Sequence, residues 1–359
     1  VNDSPPAPTA AASIHGRGAA SNPPNRFEPI QLERDADWNP EDDPAPRTQF
    51  LRDSSATIIN YNDSPDVGFD ASVNPYRGCE HGCIYCYARP THEFLGMSSG
   101  LDFESRILVK LDAPALLRRE LASQKWKPQV IAMSGVTDCY QPAERRLRLT
   151  RGCLEVLAEF RNPVGIVTKN HLVTRDIDLL RELAAHQAAA VFISITTLDA
   201  TLTPRLEPRA SLPAMRLRAI EELSAAGIPV GVMVAPIIPA ITDHEIPRIL
   251  AAARKAGAKC AGRVVLRLPY EVKNLFDDWL ARHFPDRREK VLHRIESLRG
   301  GKLNDARFGS RMTGEGIFSE QIERLFNVGC RKAGFVRDEM PSLSTAAFRR
   351  PGGVQIELL

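Results

Sequence analysis

Six short apolar runs separated by helix-length amphipathic stretches constrain this chain more than any other feature. The runs are residues 67–73, 130–133, 164–167, 191–195, 230–234 and 264–268. They lack strict polar–apolar alternation, which suits parallel strands covered on both faces. Between them, 113–123, 144–160, 176–186, 213–226 and 245–256 carry helical periodicity. A strict β/α succession predicts a parallel wound sheet or barrel. Six units make an α/β fold of the partial, TIM-like (β/α)6 type over residues 56–270, with its chemistry at the carboxyl ends of the strands.

The flanks read differently. Residues 1–55, with Ser4-Pro5-Pro6-Ala7-Pro8 and Asn22-Pro23-Pro24-Asn25, are rich in Pro, Ala and small polar residues. That composition predicts a largely disordered leader, with 26–32 packing on the domain. Residues 271–359 read as a small helical extension over the barrel mouth, with helices at 275–281, 286–299 and 317–332. Gly300-Gly301 and Gly314-Glu315-Gly316 form turns between them.

With 43% hydrophobic and 25% charged residues the chain has ordinary globular composition. No stretch approaches the roughly 18 to 20 apolar residues of a spanning helix, and the start lacks a signal-peptide pattern, so no membrane partner is expected. Seven cysteines, an odd number led by a tight cluster, favour reduced thiols and a cytoplasmic setting. Charge is uneven: residues 1–70 hold 12 acidic and 5 basic side chains, and residues 251–359 hold 13 acidic and 21 basic ones. A basic C-terminal third suits a phosphate backbone, DNA or RNA, and equally a solvated helical face.

Cys79, Cys83 and Cys86 stand in one loop, Cys79-Glu80-His81-Gly82-Cys83-Ile84-Tyr85-Cys86, while Cys139, Cys153, Cys260 and Cys330 are singletons. Three thiolates without a second Cys-x-x-Cys pair favour an iron–sulfur cluster with one open iron. The alternatives are a zinc knuckle lacking a ligand, a structural zinc completed by His81, or fortuitous clustering. The strand ends add Ser134-Gly135-Val136-Thr137-Asp138, Thr168-Lys169-Asn170 and Ser194-Ile195-Thr196-Thr197. Gly135 permits close backbone approach, and Thr137, Asp138, Lys169 and Ser194 offer polar contacts to a ligand bearing a carboxylate, an amine and a purine. The same residue types also serve as helix N-caps.

The Cys-x-x-x-Cys-x-x-Cys pattern, with an aromatic before its last cysteine, resembles the radical S-adenosylmethionine (SAM) superfamily. The resemblance implies a radical SAM barrel, a 4Fe-4S cluster on Cys79, Cys83 and Cys86, and S-adenosylmethionine on the open iron. It implies reductive cleavage to methionine and a 5′-deoxyadenosyl radical, an electron donor such as flavodoxin or ferredoxin, and hydrogen-atom abstraction from a substrate. Residues 70–270 are further similar to the spore photoproduct lyase group, which reverses a thymine dimer in DNA. That likeness implies Tyr85 and Tyr87 as a hydrogen-atom relay, with Thr137, Lys169 and Ser194 holding the cofactor. Tyr85, Gly135 and Asp138 complete the expected cofactor site. The group's hydrogen-donating cysteine is replaced by Gly135, and Cys139, four residues on, takes that role if the loop turns it inward. The leading reading is therefore a radical SAM enzyme acting on a nucleic acid, akin to photolesion repair. A small molecule, peptide or protein substrate is the second, and a non-catalytic nucleic-acid-binding protein with a structural metal is the third.

Overall fold

A computed structural model describes residues 13–28, 46–336 and 341–351. Its strands are β1 (Gln49–Arg52), β2 (Ile59–Tyr61), β3 (Ala71–Val73), β4 (Tyr76–Arg77), β5 (Arg106–Val109), β6 (Ile131–Met133), β7 (Val164–Thr168), β8 (Ala189–Ser194), β9 (Val230–Ile237) and β10 (Cys260–Val265). Its helices are α1 (Leu101–Ser105), α2 (Ala113–Ala122), α3 (Glu144–Leu147), α4 (Leu149–Phe160), α5 (Ile177–Ala184), α6 (Thr203–Leu206), α7 (Pro213–Ala225), α8 (Ile246–Lys255), α9 (Val272–His283), α10 (Arg288–Leu298) and α11 (Gly316–Ala333).

The main sheet runs β10-β9-β8-β7-β6-β3-β2, and only β2 is antiparallel to its neighbour. Six parallel strands thus lie side by side in chain order. Sequential order makes every crossover turn the same way, so the helices cover one face and the sheet curls around the other. The expected partial barrel is what forms. Its core holds the apolar runs of the strands together with Leu117 and Leu121 of α2, Leu154 and Leu157 of α4, Leu180 and Leu183 of α5, and Ile249 and Leu250 of α8.

Several elements differ from the sequence reading. The helix expected over 144–160 breaks at Arg148, whose φ of 54° is left-handed, because the Glu144 carboxylate caps the restarted helix at the amides of Thr150 and Arg151. A second sheet, β1-β5-β4, sits beside the barrel and was not anticipated; its strands are only two to four residues long. The described parts of the expected leader are packed rather than loose. Residues 13–28 lie on the cysteine loop and α1, and 49–52 pair with β5 in register. Asn and Arg side chains provide this docking in place of apolar periodicity: Asn22 bonds Asp102, and Arg26 pairs with Glu93. Residues 1–12 and 29–45, including the end of the 26–32 stretch, lie outside the described residues.

The C-terminal helices do not form one cap over the mouth. α9 and α10 supply Phe276, Trp279, Leu280 and Ile295 to the apolar cluster that contains Cys83, Ile84 and Tyr85. α11 instead lies along α8, where a Cβ at Gly329 would come 2.8 Å from Leu250. Residues 341–351 cross the opposite end, where Arg349 bonds the Phe160 carbonyl and Arg350 those of Ser123 and Trp126.

Trp279 is fully buried, stacks on Phe276 and donates from Nε1 to the Arg205 carbonyl at 2.9 Å. Replacing it with Ala removes a large side chain from a packed site, and a loss of about 3 to 5 kcal/mol is expected. Urea unfolding of Trp279→Ala measures it; a loss below about 1 kcal/mol would mean that α9 is not integral to the domain.

Candidate functional site

The cysteine loop follows β4 and is fixed by its backbone. The Cys79 amide donates to the Phe103 carbonyl at 2.9 Å, and the Ile84 amide to Leu206 at 3.1 Å. Gly82 has φ 65°, and a Cβ there would stand 2.6 Å from a Glu104 oxygen. Arg89, fully buried, donates to the carbonyls of Cys83, Gly82, Ser99 and Gly100 and pairs with Glu104. Glu104 accepts in turn from the amides of Gly18 and Ala19. At Gly18 a Cβ would fall 1.9 Å from the Gly82 carbonyl oxygen, so only glycine lets the N-terminal segment lie this close.

Behind the loop, Asp138 joins three elements. One carboxylate oxygen accepts from the Thr168 hydroxyl at 2.7 Å; the other accepts from the Lys169 amide at 2.8 Å and faces His81 Nδ1 at 3.3 Å. Burial alone would raise this carboxyl, but the His81 ring, the Lys169 amide and the Thr168 hydroxyl hold it below the usual carboxylate range. His81 uses its other nitrogen on Asn170, at 3.1 Å. With both ring nitrogens committed, His81 acts as a brace for the loop.

Lys169 extends from the end of β7 and donates to Ser194 Oγ and to the Ala235 carbonyl, each at 2.9 Å, with Glu207 at 3.5 Å. Glu207 also accepts from the Tyr85 phenol, the Thr196 hydroxyl and Arg216, all buried. Burial opposes ionisation of Glu207, but the charges of Arg216 and Lys169 dominate and bring its pKa down to about 2.

Cys79, Cys83, Cys86, Tyr85, Tyr87, Gly135, Thr137, Asp138, Lys169 and Ser194 all line one cavity of about 260 Å³. Val167, Met233, Val264 and Leu266 add apolar side chains to its lining. Tyr87 stands at the mouth, 49% exposed, donating its hydroxyl to the Gly135 carbonyl, with the Arg267 guanidinium 4.5 Å above its ring. Thr137 is buried, 3.4 Å from the Tyr76 carbonyl. Cys139 is the exception. It is 0% exposed in the main core, its amide bonded to Ser134 Oγ and its carbonyl to Thr150, so the loop turns it away from the cavity and not inward as expected.

Sequence reasoning did not find Glu207, Arg216, Arg89, Glu104 or Arg267. An isolated charge in a connecting segment reads as solvated. One signal was available: the connection from β8 to α7 runs over 195–212, long for a strand–helix link, and such length marks functional loops.

The three thiols face the cavity together. Burial pushes each of them up, and Cys79 is further raised by Asp138 and its fellow thiols, so as thiolates they require a compensating positive centre. Among the described residues no three His, Cys, Asp or Glu groups converge closely enough for a single metal ion. Three thiols on one cavity, with no second Cys-x-x-Cys pair in the sequence and His81 committed to Asp138 and Asn170, suit an iron–sulfur cluster better than a closed zinc site.

A parallel partial barrel with a three-thiol loop at its strand ends defines the architecture of a cofactor-dependent enzyme family. The chain belongs to the radical SAM superfamily, whose model matches residues 73–253 and whose members use a 4Fe-4S cluster and S-adenosylmethionine. An uncharacterised protein of Mycobacterium tuberculosis is 38% identical over 220 residues, 61% of this chain and 65% of that one. One from Methanocaldococcus jannaschii is 31% identical over 173 residues, 48% of this chain and 62% of that one. The chain thus spans just under two thirds of these relatives. Spore photoproduct lyase complexed with dinucleoside spore photoproduct shares the fold at TM-score 0.56 and 16% identity, over 79% of each chain. A lyase variant with bound AdoMet and the same dinucleoside gives 0.57, 16%, and 79% of this chain and 78% of that one. Among the described residues no helix is long and apolar enough to cross a membrane.

The Glu207 carboxylate gives a pH dependence. Its folded pKa of about 2 lies below the unfolded value of about 4.3, so its contribution is complete above that value and disappears as pH falls towards 2. Unfolding free energies measured between about pH 6 and pH 2.5 should fall less steeply in Glu207→Gln than in the parent. The variant is also expected to be about 3 to 5 kcal/mol weaker at neutral pH, because Arg216 loses its buried partner. Parallel pH profiles would show that Glu207 is not the ionised member of the network.

Proposed function

We propose that this protein is a radical SAM enzyme that cleaves S-adenosylmethionine reductively and takes a hydrogen atom from a nucleic acid. The observation that carries this reading is the single cavity onto which three open thiols and the polar strand-end groups face. Cys79, Cys83 and Cys86 would hold the 4Fe-4S cluster, which when bound supplies an electron to the sulfonium and so yields a 5′-deoxyadenosyl radical. Lys169, whose ammonium is held by Ser194 and Ala235, would offer the ligand carboxylate a charge-assisted contact. Ser194 and Thr137 add hydroxyls, and Gly135 has no side chain to obstruct the ligand. Asp138 holds the loop and Lys169's backbone in place. The apolar side chains of the lining keep water from a reactive radical.

Two observations support a nucleic acid as substrate: the lyase that shares this fold was solved with a dinucleoside photoproduct, and the C-terminal third is basic. Repair by thiol donation is not favoured, since Gly135 carries no side chain and Cys139 is in the core. Tyr87, half exposed with its hydroxyl on the Gly135 carbonyl, would relay a hydrogen atom, a reading its exposure supports, whereas Tyr85 is tied into the Glu207 network. A small redox protein such as flavodoxin or ferredoxin would deliver the electron, in the cytoplasm.

Anaerobically reconstituted protein should hold close to four irons per chain, and Cys79→Ala, Cys83→Ala or Cys86→Ala should abolish the cluster absorbance. Lys169→Ala should keep its iron yet bind S-adenosylmethionine about ten- to a hundredfold more weakly, the equivalent of roughly 1.5 to 3 kcal/mol. Stoichiometric zinc with no iron would sink the reading.

Tyr87→Phe separates relay from packing. It should leave iron content and S-adenosylmethionine affinity unchanged while lowering substrate product per 5′-deoxyadenosine formed, read by chromatography with ultraviolet-irradiated DNA. An unchanged product ratio would remove Tyr87 from the reaction.

A further inference from the structure

A second and larger cavity, of about 520 Å³, lies where the connections after β8 and β9 meet the turn between α9 and α10. Three guanidinium groups line it: Arg205 of α6, Arg248 of α8, and Arg287 just before α10. All three are exposed, and among the described residues none has a hydrogen-bonded or ion-paired carboxylate. They come from three separate elements, so their convergence is a property of the fold rather than of a basic run in the sequence.

The acids on the same wall are already engaged. Glu245 is buried and accepts from the Thr197 hydroxyl and, at 2.8 Å, from the Leu198 amide. One oxygen of Asp199 accepts from the Thr201 amide and hydroxyl, each at 2.7 Å, and from the Leu202 amide. Arg205 lies near enough to lower the Asp199 pKa, after those hydrogen bonds, but makes no direct bond to it. The carboxylates shape the loop and leave the cations facing the cleft. Leu198, Thr201, Leu202, Ile241, His244 and Phe284 complete the lining.

Arginines forming forked bonds to phosphate over an apolar, aromatic-edged surface are the ingredients of single-strand recognition. We propose that this cleft binds the sugar–phosphate backbone of a nucleic-acid strand, with Arg205, Arg248 and Arg287 on its phosphates. The proposal rests on the nucleic-acid reading of the substrate and adds where the strand is held. The cleft is joined to the cysteine cavity by its own wall: Leu202 and Ile241 belong to the apolar cluster that contains Cys83 and Tyr85. Arg205 also stands two residues before Glu207, which holds Tyr85 and faces Lys169.

The test uses the full chain with its cluster reconstituted, and a short dye-labelled single-stranded oligonucleotide, with anisotropy recorded over a salt series. Inorganic phosphate and thymidine monophosphate serve as separate probes. The combined variant Arg205→Gln/Arg248→Gln/Arg287→Gln should bind the strand at least roughly tenfold more weakly. Its slope of log affinity against log salt should be smaller by about 2, since each phosphate contact on a single strand is worth about 0.7. Each single variant should lower the slope by about 0.7, which keeps the test valid if the combined variant is unstable. Lys125→Gln/Lys127→Gln, exposed on the connection after α2, should leave the slope unchanged. Strand binding by the parent that the three substitutions leave intact overturns the cleft while sparing the nucleic-acid reading. Phosphate or mononucleotide binding that the substitutions abolish, without strand binding by the parent, overturns both. So does an absence of binding by every probe.

Discussion

The buried pair of Arg89 and Glu104 is the interaction on which the rest of the site depends. Taking two charges out of water is costly unless every remaining donor and acceptor is used. Here Arg89 fills its guanidinium with four carbonyls and one carboxylate, and Glu104 turns both oxygens to the amides of Gly18 and Ala19. The carbonyls of Gly82 and Cys83 are thereby drawn away from the cavity. The loop is clamped between α1 and the N-terminal segment, and its thiols are left to face the strand ends.

A second tier of charge organises those strand ends. Asp138 ties His81 to β7, while Glu207 gathers Tyr85, Thr196, Arg216 and Lys169. Both carboxylates are kept ionised by partners rather than by solvent, which is how a buried polar network becomes rigid. The lining of the cavity combines fixed polar groups with the apolar Val167, Met233, Val264 and Leu266, a mixture suited to a zwitterionic ligand with a flat base.

The barrel was legible because short, mostly apolar strand runs recur six times with helix-length periodic stretches between them. Cys79, Cys83, Cys86, Lys169 and Ser194 were legible because they belong to a motif or to a strand end, and strand ends point into the same space whatever the details. The side sheet β1-β5-β4 was not, since strands of two to four residues carry no period to detect. Nor was the docking of residues 13–28, which depends on one glycine, backbone amides and polar side chains that read as loop. Cys139 was misplaced for a related reason. Four residues along a loop say nothing about direction, and the Ser134 and Thr150 bonds that turn its backbone toward the core are tertiary.

The mouth of the cavity is assembled from distant parts of the chain. Arg311 pairs with Asp66 across 245 residues, and the Met312 carbonyl accepts from the Val265 amide, which brings Met312 to the cavity rim. At the other end of the barrel Arg350 reaches Ser123 across 227 residues. Closing a loop of such length loses chain entropy before any contact repays it, so these contacts are favoured in a barrel that has already collapsed. During synthesis the barrel can therefore condense while both ends remain unlatched. The rim of the cavity thus depends on a segment synthesised after every barrel strand.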